Sequence, residues 1–165
     1  MMNNNPIGVF DSGIGGLTVV KEIIKLLPQE NIIYLGDTAR VPYGVRSKEV
    51  ITKFALELTK FLLKRKIKCL VVACNTVSST ALEKIEKISP VPVIGVLKPA
   101  VKKAVSVTKK KKIGVIGTAG TINSGAYERE IHKLDSKVEV ISEPCPLFVP
   151  ITEEGFGTHK ATKLI

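Results

Sequence analysis

Six short apolar runs, at residues 6–10, 31–35, 68–73, 93–96, 112–117 and 137–141, most restrict the folds open to this sequence. Each is short for a helix and rich in Val or Ile, and several are apolar at consecutive rather than alternate positions. That pattern fits strands buried on both faces, as in a parallel sheet. Between the runs the apolar spacing changes to three and four. Val20, Ile23, Ile24 and Leu27 mark a helix from Leu17 to Leu27, ended by Pro28. Val50, Phe54, Leu58, Phe61 and Leu62 mark a second behind a Ser47 N-cap. Further helices are expected from near Ser78 to Ile88, where Pro90 and Pro92 follow, and from about Pro99 to Val107. Regular alternation of strand and helix implies an α/β fold, a parallel sheet with helices on both faces.

Ligands of such sheets bind at the carboxyl ends of the strands, so those ends are where chemistry is sought. The run from Lys68 ends in Ala73-Cys74-Asn75-Thr76, a thiol followed by two residues suited to a turn or helix start. A cysteine there sits beside a helix N-terminus, which favours its thiolate and predicts fast alkylation. The plain alternative is a small buried hydrophobe, as most free cysteines are. The first run ends in Asp11-Ser12-Gly13-Ile14-Gly15-Gly16, whose glycines let backbone approach a ligand. It lacks the GxGxxG spacing and the GK[ST] ending of nucleotide loops. The second run leads into Gly36-Asp37-Thr38-Ala39-Arg40 and Pro42-Tyr43-Gly44, a polar loop at the same edge. After the fifth run, Thr118-Ala119-Gly120-Thr121 repeats the order of strand, glycine turn and helix.

Composition narrows the class. The chain has 165 residues, 44% hydrophobic and 24% charged, enough for one full core and part of a second. No apolar run reaches the length of a membrane span and the first residues lack a signal-peptide pattern, so a cytoplasmic location is expected. Three cysteines without paired spacing argue against a disulfide framework. The net charge of +10 is spread along helices, with Lys109 to Lys112 the one tight cluster, so a nucleic-acid partner is not expected. His132 and His159 show no metal-ligand spacing. The organisation expected is a first α/β domain over residues 1–97 and a second, incomplete one over 98–165. The second offers two strands and about two helices, too little for an independent core, so either the sequence is truncated or another chain supplies the missing surface.

Taken in order, Phe10-Asp11-Ser12-Gly13-Ile14-Gly15-Gly16-Leu17-Thr18, Gly36-Asp37-Thr38-Ala39-Arg40 with Pro42-Tyr43-Gly44, and Ala73-Cys74-Asn75-Thr76 closely resemble glutamate racemase. So do Gly117-Thr118-Ala119-Gly120-Thr121 and Pro146-Leu147-Phe148-Val149-Pro150 with Glu153-Glu154-Gly155. The resemblance implies two parallel-sheet α/β domains with the site at their interface. It implies a cofactor-independent racemase supplying D-glutamate for peptidoglycan, in which one thiolate removes the α-proton and a thiol on the opposite face returns it. Cys74 is similar to the first of these bases, Asp11 to the carboxylate near the substrate amino group, and Glu153 to the assisting acid, with Glu154 one place away. Asp11, Ser12, Tyr43, Gly44, Asn75, Thr76, Thr118 and Thr121 correspond to substrate contacts. Glutamate is the implied ligand and a homodimer the implied assembly, with no membrane partner.

One part of the family pattern is missing. The second catalytic thiol of the family lies in a Gly-Cys-Thr-His motif beyond the point where this sequence ends, and no such motif occurs here. Cys69 stands five residues before Cys74, roughly 16 Å away along an extended strand, and is expected to be structural, as is Cys145. A chain of only these residues is expected to racemise weakly or not at all. The competing expectation is therefore a racemase-like module that binds glutamate without inverting it. A weaker one is a polyanion-binding protein driven by its charge.

Overall fold

The structure is a computed structural model, and it describes residues 4–160 and 162. Strands β1 (Ile7–Asp11), β2 (Ile32–Gly36), β3 (Cys69–Val72) and β4 (Val93–Gly95) form one parallel sheet in the order β2-β1-β3-β4. Asp11 pairs with Gly36, and Phe10 with both Leu35 and Val72, so the ends of β1, β2 and β3 lie side by side. Residues 11–16, 36–44 and 73–76 consequently leave the sheet along one edge.

Two layers cover this sheet. Phe10, Leu70 and Val72 face α2 (Lys48–Leu63), α3 (Asn75–Thr80) and α4 (Leu82–Ile88), in a core with Ile51, Ala55, Leu58, Leu62, Val77 and Ile85. The intervening residues Ile7, Val9, Val71 and Ala73 face α1 (Leu17–Leu26) on the other side, against Val19, Val20 and Ile23. Consecutive strand residues are thus buried on opposite faces, as the unbroken apolar runs imply. At about 1.5–3 kcal/mol per fully buried large aliphatic side chain, these contacts dominate the stability of this half.

The helix faces differ in phase from the sequence expectation. On α2 the buried stripe is Ile51, Ala55, Leu58 and Leu62 rather than Val50, Phe54, Leu58, Phe61 and Leu62. Phe61 is exposed with the Arg65 guanidinium 4.7 Å over its ring. On α1, Ile24 and Leu27 point to solvent. The helix expected from Ser78 to Ile88 starts earlier and breaks at Ala81 into α3 and α4. In α3 the Ser79 and Thr80 hydroxyls donate to the Thr76 carbonyl at 3.0 and 2.6 Å, a local bond that competes with helix continuation.

The second half holds α5 (Leu97–Val107), β5 (Lys112–Gly117), α6 (Ala119–Asn123), α7 (Ala126–Leu134), β6 (Glu139–Pro144) and α8 (Phe148–Glu153). Strand β5 has the expected bounds, whereas β6 starts at Glu139 and runs beyond Ile141 to Pro144. The two pair in parallel, and the core beside them is small: Leu97, Val101, Val115, Ala126, Ile131 and Val138. Ile116 and Ile141 on this sheet are 64% and 60% exposed. Among the described residues no helix is long and apolar enough to cross a membrane.

Candidate active site

The glycine-rich turn after β1 is built around the Asp11 side chain. Its carboxylate, buried at the strand end, accepts from the amides of Gly16 at 2.9 Å and Gly13 at 3.3 Å, curling the loop over itself. Tyr34 on β2 donates its hydroxyl to the Gly13 carbonyl at 2.6 Å. A β-carbon at Gly16 would lie 2.6 Å from the Asp11 β-carbon and 2.9 Å from the Tyr34 hydroxyl, so only glycine fits this approach. Burial raises the Tyr34 pKa strongly, with the negative charges of Asp11 and Glu153 adding to it. Tyr34 is a supporting residue that its place in an apolar run did not reveal.

Cys74 follows β3 and is the N-cap residue of α3. Its Sγ donates to the Ser12 hydroxyl at 3.5 Å, tying the thiol to the loop that carries Asp11. The side chain is 3% exposed, and its pKa is pushed up to about 11, first by burial and then by the charge of Asp11, against a smaller lowering by Ser12. The expectation of a helix-stabilised thiolate is therefore corrected. Helix α3 has only six residues, and loss of water outweighs its dipole.

Side chains from both halves meet around this thiol. A cleft of about 390 Å³ is lined by Asp11, Ser12, Cys74, Asn75 and Thr76 from the first half, and by Thr118, Thr121, Tyr127, Cys145 and Glu153 from the second. The Thr76 and Thr118 hydroxyls lie 3.0 Å apart, and Thr118 lies 3.0 Å from Thr121, making a seam of three hydroxyls. Thr118 also caps α6, accepting from the Thr121 amide at 3.3 Å. Tyr127 donates to Asn75 Oδ1 at 2.5 Å across the halves, which turns the Asn75 amide nitrogen away from the ring. Glu153, at the end of α8, accepts from the Ile14 amide at 3.0 and 3.3 Å, while Glu154 is exposed and outside the lining.

Tyr43 and Gly44 are not brought into this lining. Tyr43 is fully buried and hydrogen-bonds the Asp37 carboxylate, itself held by Arg40 at 2.6 Å. Gly44 backs onto Thr118: a β-carbon there would lie within 2.5 Å of three Thr118 side-chain atoms. Tyr127 and Cys145 are cleft residues that the sequence did not signal. Cys145 lies after β6 and Tyr127 in α7, and only the docking of the halves turns them toward Cys74. Cys69 is at the far end of β3, outside the lining. Among the described residues no three His, Cys, Asp or Glu side chains group closely enough to hold a metal ion.

The site therefore combines a buried thiol, a loop carboxylate, a tyrosine and a row of hydroxyls in one cleft. Comparison with known proteins identifies its kin. The glutamate racemase of Geobacter metallireducens is 54% identical over 158 residues, which is 96% of this chain and 58% of that relative. That of Enterococcus faecalis is 55% identical over 166 residues, which is 100% of this chain and 61% of the relative. A solved glutamate racemase from Francisella tularensis, in complex with D-glutamate, superposes with a TM-score of 0.92 at 46% identity, covering 99% of this chain and 61% of that one. One from Bacillus anthracis gives 0.90 at 44% identity, covering 99% and 59%. The chain thus spans about three fifths of the length of the relatives it matches. The Asp/Glu/Hydantoin racemase model matches residues 7–164, and with this match and these relatives the chain belongs to the Asp/Glu/Hydantoin racemase family.

Proposed function

We propose that this chain is the part of a glutamate racemase that binds glutamate and carries one of the two bases, in a cofactor-independent interconversion of L- and D-glutamate. The observation that carries this reading is the Cys74 thiol beside Asp11 and Ser12 in a cleft faced by both halves. The reaction needs a base aimed at the α-carbon and donors for the carboxylates. Ser12, Asn75, Thr76, Thr118 and Thr121 supply donors, and Asp11 supplies a negative charge for the substrate ammonium. Glu153 stands where its carboxylate can assist a proton transfer from the α8 side.

Proton transfer by Cys74 follows from its surroundings. With its pKa pushed up to about 11, the thiol is held protonated at neutral pH. Burial is the larger cause of the raised thiol pKa and the Asp11 charge the next, so an ammonium held by Asp11 offsets the second and shifts the thiol toward thiolate. The α-carbon then loses its proton to Cys74 Sγ, and inversion requires return from a donor on the other face. In the racemase reading that donor belongs to the second thiol of the whole enzyme, whose product supplies peptidoglycan synthesis in the cytoplasm, with a homodimer as the assembly.

The test is α-hydrogen exchange in deuterated water. One thiol suffices to remove and return a proton on one face, so this chain is expected to exchange the α-hydrogen of one glutamate enantiomer without inverting it. Cys74→Ser is expected to abolish that exchange, because a hydroxyl is a far poorer base at neutral pH. Exchange that persists in Cys74→Ser would refute the assignment of the base. Rapid inversion by the same 165-residue chain would move the second base to Cys145, the other thiol lining the cleft.

A further inference from the structure

A second cavity, of about 440 Å³, lies on the other side of the threonine seam from the thiol. Its walls come from both halves: residues 44–51 and the end of α3 on one side, the α6–α7 corner on the other. The charged side chains that line it are Arg46, Lys48 and Arg129, and no carboxylate is among the lining residues. Some cations elsewhere in the chain are matched, Arg40 to Glu57 and Asp37, Lys111 to Asp135, Lys112 to Glu139 and Lys133 to Glu130. Among the described residues Arg46, Lys48 and Arg129 make no salt bridge. Glu83, Glu86 and Glu130 line an adjoining cavity, with Lys48 and Arg129 on the shared wall, so this convergence of like charge is local.

The geometry is organised on both sides. The Arg129 guanidinium is fixed by donating to the Ser124 carbonyl at 2.6 Å. Ser47 caps α2 by accepting from the Val50 amide at 3.4 Å, which sets the α2 N-terminus beside Arg46 and Lys48. The floor is a close approach of backbones, since a β-carbon at Gly120 would lie 3.1 Å from the Gly44 carbonyl oxygen. Behind that floor stands Thr118, whose hydroxyl faces Thr76. The volume falls in the range of small-ligand sites, ~300–1,000 Å³.

We propose that this cavity binds a small polyanion of three or more negative charges, which bridges Arg46 and Lys48 on the first half to Arg129 on the second and so holds the halves docked over Cys74. Like charges gathered around one cavity repel, and a multivalent anion removes that repulsion. Guanidinium groups match phosphate and carboxylate alike, so polyphosphates and polycarboxylates share the required chemistry.

The experiment is calorimetric titration of the 165-residue chain with sodium tripolyphosphate and, separately, citrate at low ionic strength, without glutamate. Saturable binding is expected that weakens at least tenfold in Arg129→Gln and in Arg46→Gln/Lys48→Gln. Lys109→Gln/Lys110→Gln, which removes two exposed charges outside the cavity, is expected to leave affinity unchanged. Binding of tripolyphosphate alone assigns the site to phosphates, and equal binding of citrate assigns it to either anion. Saturating anion is expected to slow alkylation of Cys74 severalfold, and an unchanged rate would overturn the bridge between halves. Absent binding, or equal loss in the Lys109/Lys110 control, would overturn the site. Should Arg129→Gln fail to fold, the Arg46/Lys48 pair decides, since both side chains are exposed.

Discussion

Gly44→Ala separates packing from ligand contact at the seam. The backbone at Gly44 is not in the left-handed region, so alanine brings no conformational strain there and the perturbation is one of space. The added carbon would lie within 2.5 Å of the β-carbon, hydroxyl and methyl of Thr118, and the β-carbon cannot rotate aside. Relief demands that the halves separate by about 1 Å, an overpacking cost of about 1–3 kcal/mol. At that separation the 3.0 Å pair between Thr76 and Thr118 is lost, a further ~0.5–1.5 kcal/mol. A total of about 2–4 kcal/mol corresponds to a fall in Tm of roughly 5–15 °C for a chain of this size. The assay is thermal unfolding, with Cys74 alkylation followed in parallel, because an opened seam admits reagent to a thiol that is 3% exposed. Gly120→Ala meets backbone at 3.1 Å and is expected to cost less, and Gly114→Ala, with nothing within 4 Å, serves as the control. An unchanged Tm and an unchanged Cys74 rate in Gly44→Ala would refute the docking of the halves at this seam. A lowered affinity for glutamate with full stability would return Gly44 to the role of a ligand contact.

Three further outcomes are expected. Cys145, half-buried on the cleft wall, is labelled before Cys74, and the Cys74 rate rises about tenfold per pH unit until near pH 11; a rate flat above pH 8 would contradict the burial effect. Tyr43→Phe costs about 1.5–3 kcal/mol in urea unfolding, because Asp37 loses a buried donor while Arg40 remains; a neutral result would deny that bond its structural weight. Stability also falls with alkaline pH. The folded thiol of Cys74 has a pKa above its ordinary value of 9.0, so its contribution, about 2–3 kcal/mol, is full below pH 9 and is lost as pH rises through about 11; Cys74→Ala removes that share of the decline in equilibrium unfolding across this range.

Much of the fold was legible because strand burial leaves a local signature. Runs such as 69–73 are apolar at every position because the two faces of one sheet meet different helices. Helix phase was less legible. Phe54 and Phe61 look alike by spacing, yet Phe54 packs partly buried against the core with Arg40 over its ring, whereas Phe61 is exposed and carries Arg65. Pro144 did not end β6 early because it is the last residue of a strand that β5 accompanies along its whole length. At the site, Asp11, Ser12 and Cys74 could be placed together because they sit at adjacent strand ends in one sheet. Tyr127 and Cys145 could not, since their neighbourhood depends on how the second half docks, which no local period records. The thiol's pKa is illegible for a related reason: a helix start is visible in sequence, whereas the burial of Cys74 in one core cluster with Phe10, Tyr43, Val72 and Val77 is a product of tertiary packing.

That burial gives the site a conditional character. Asp11 holds the glycine loop through two amides, and its charge adds to the larger effect of burial in keeping Cys74 protonated. Both effects oppose thiolate formation unless a cation lies beside Asp11. In the proposed racemase they become an advantage once an ammonium arrives, because the cation satisfies Asp11 and lowers the thiol pKa in one event. A thiolate that forms only beside its substrate is also protected from oxidation between turnovers, as oxidation proceeds through the thiolate. The hydroxyl of Ser12 is suited to this exchange: it accepts from the thiol, and rotation about its own bond lets it donate to the thiolate when the proton leaves. Removing that hydroxyl would therefore act on the ionised state more than on the resting one.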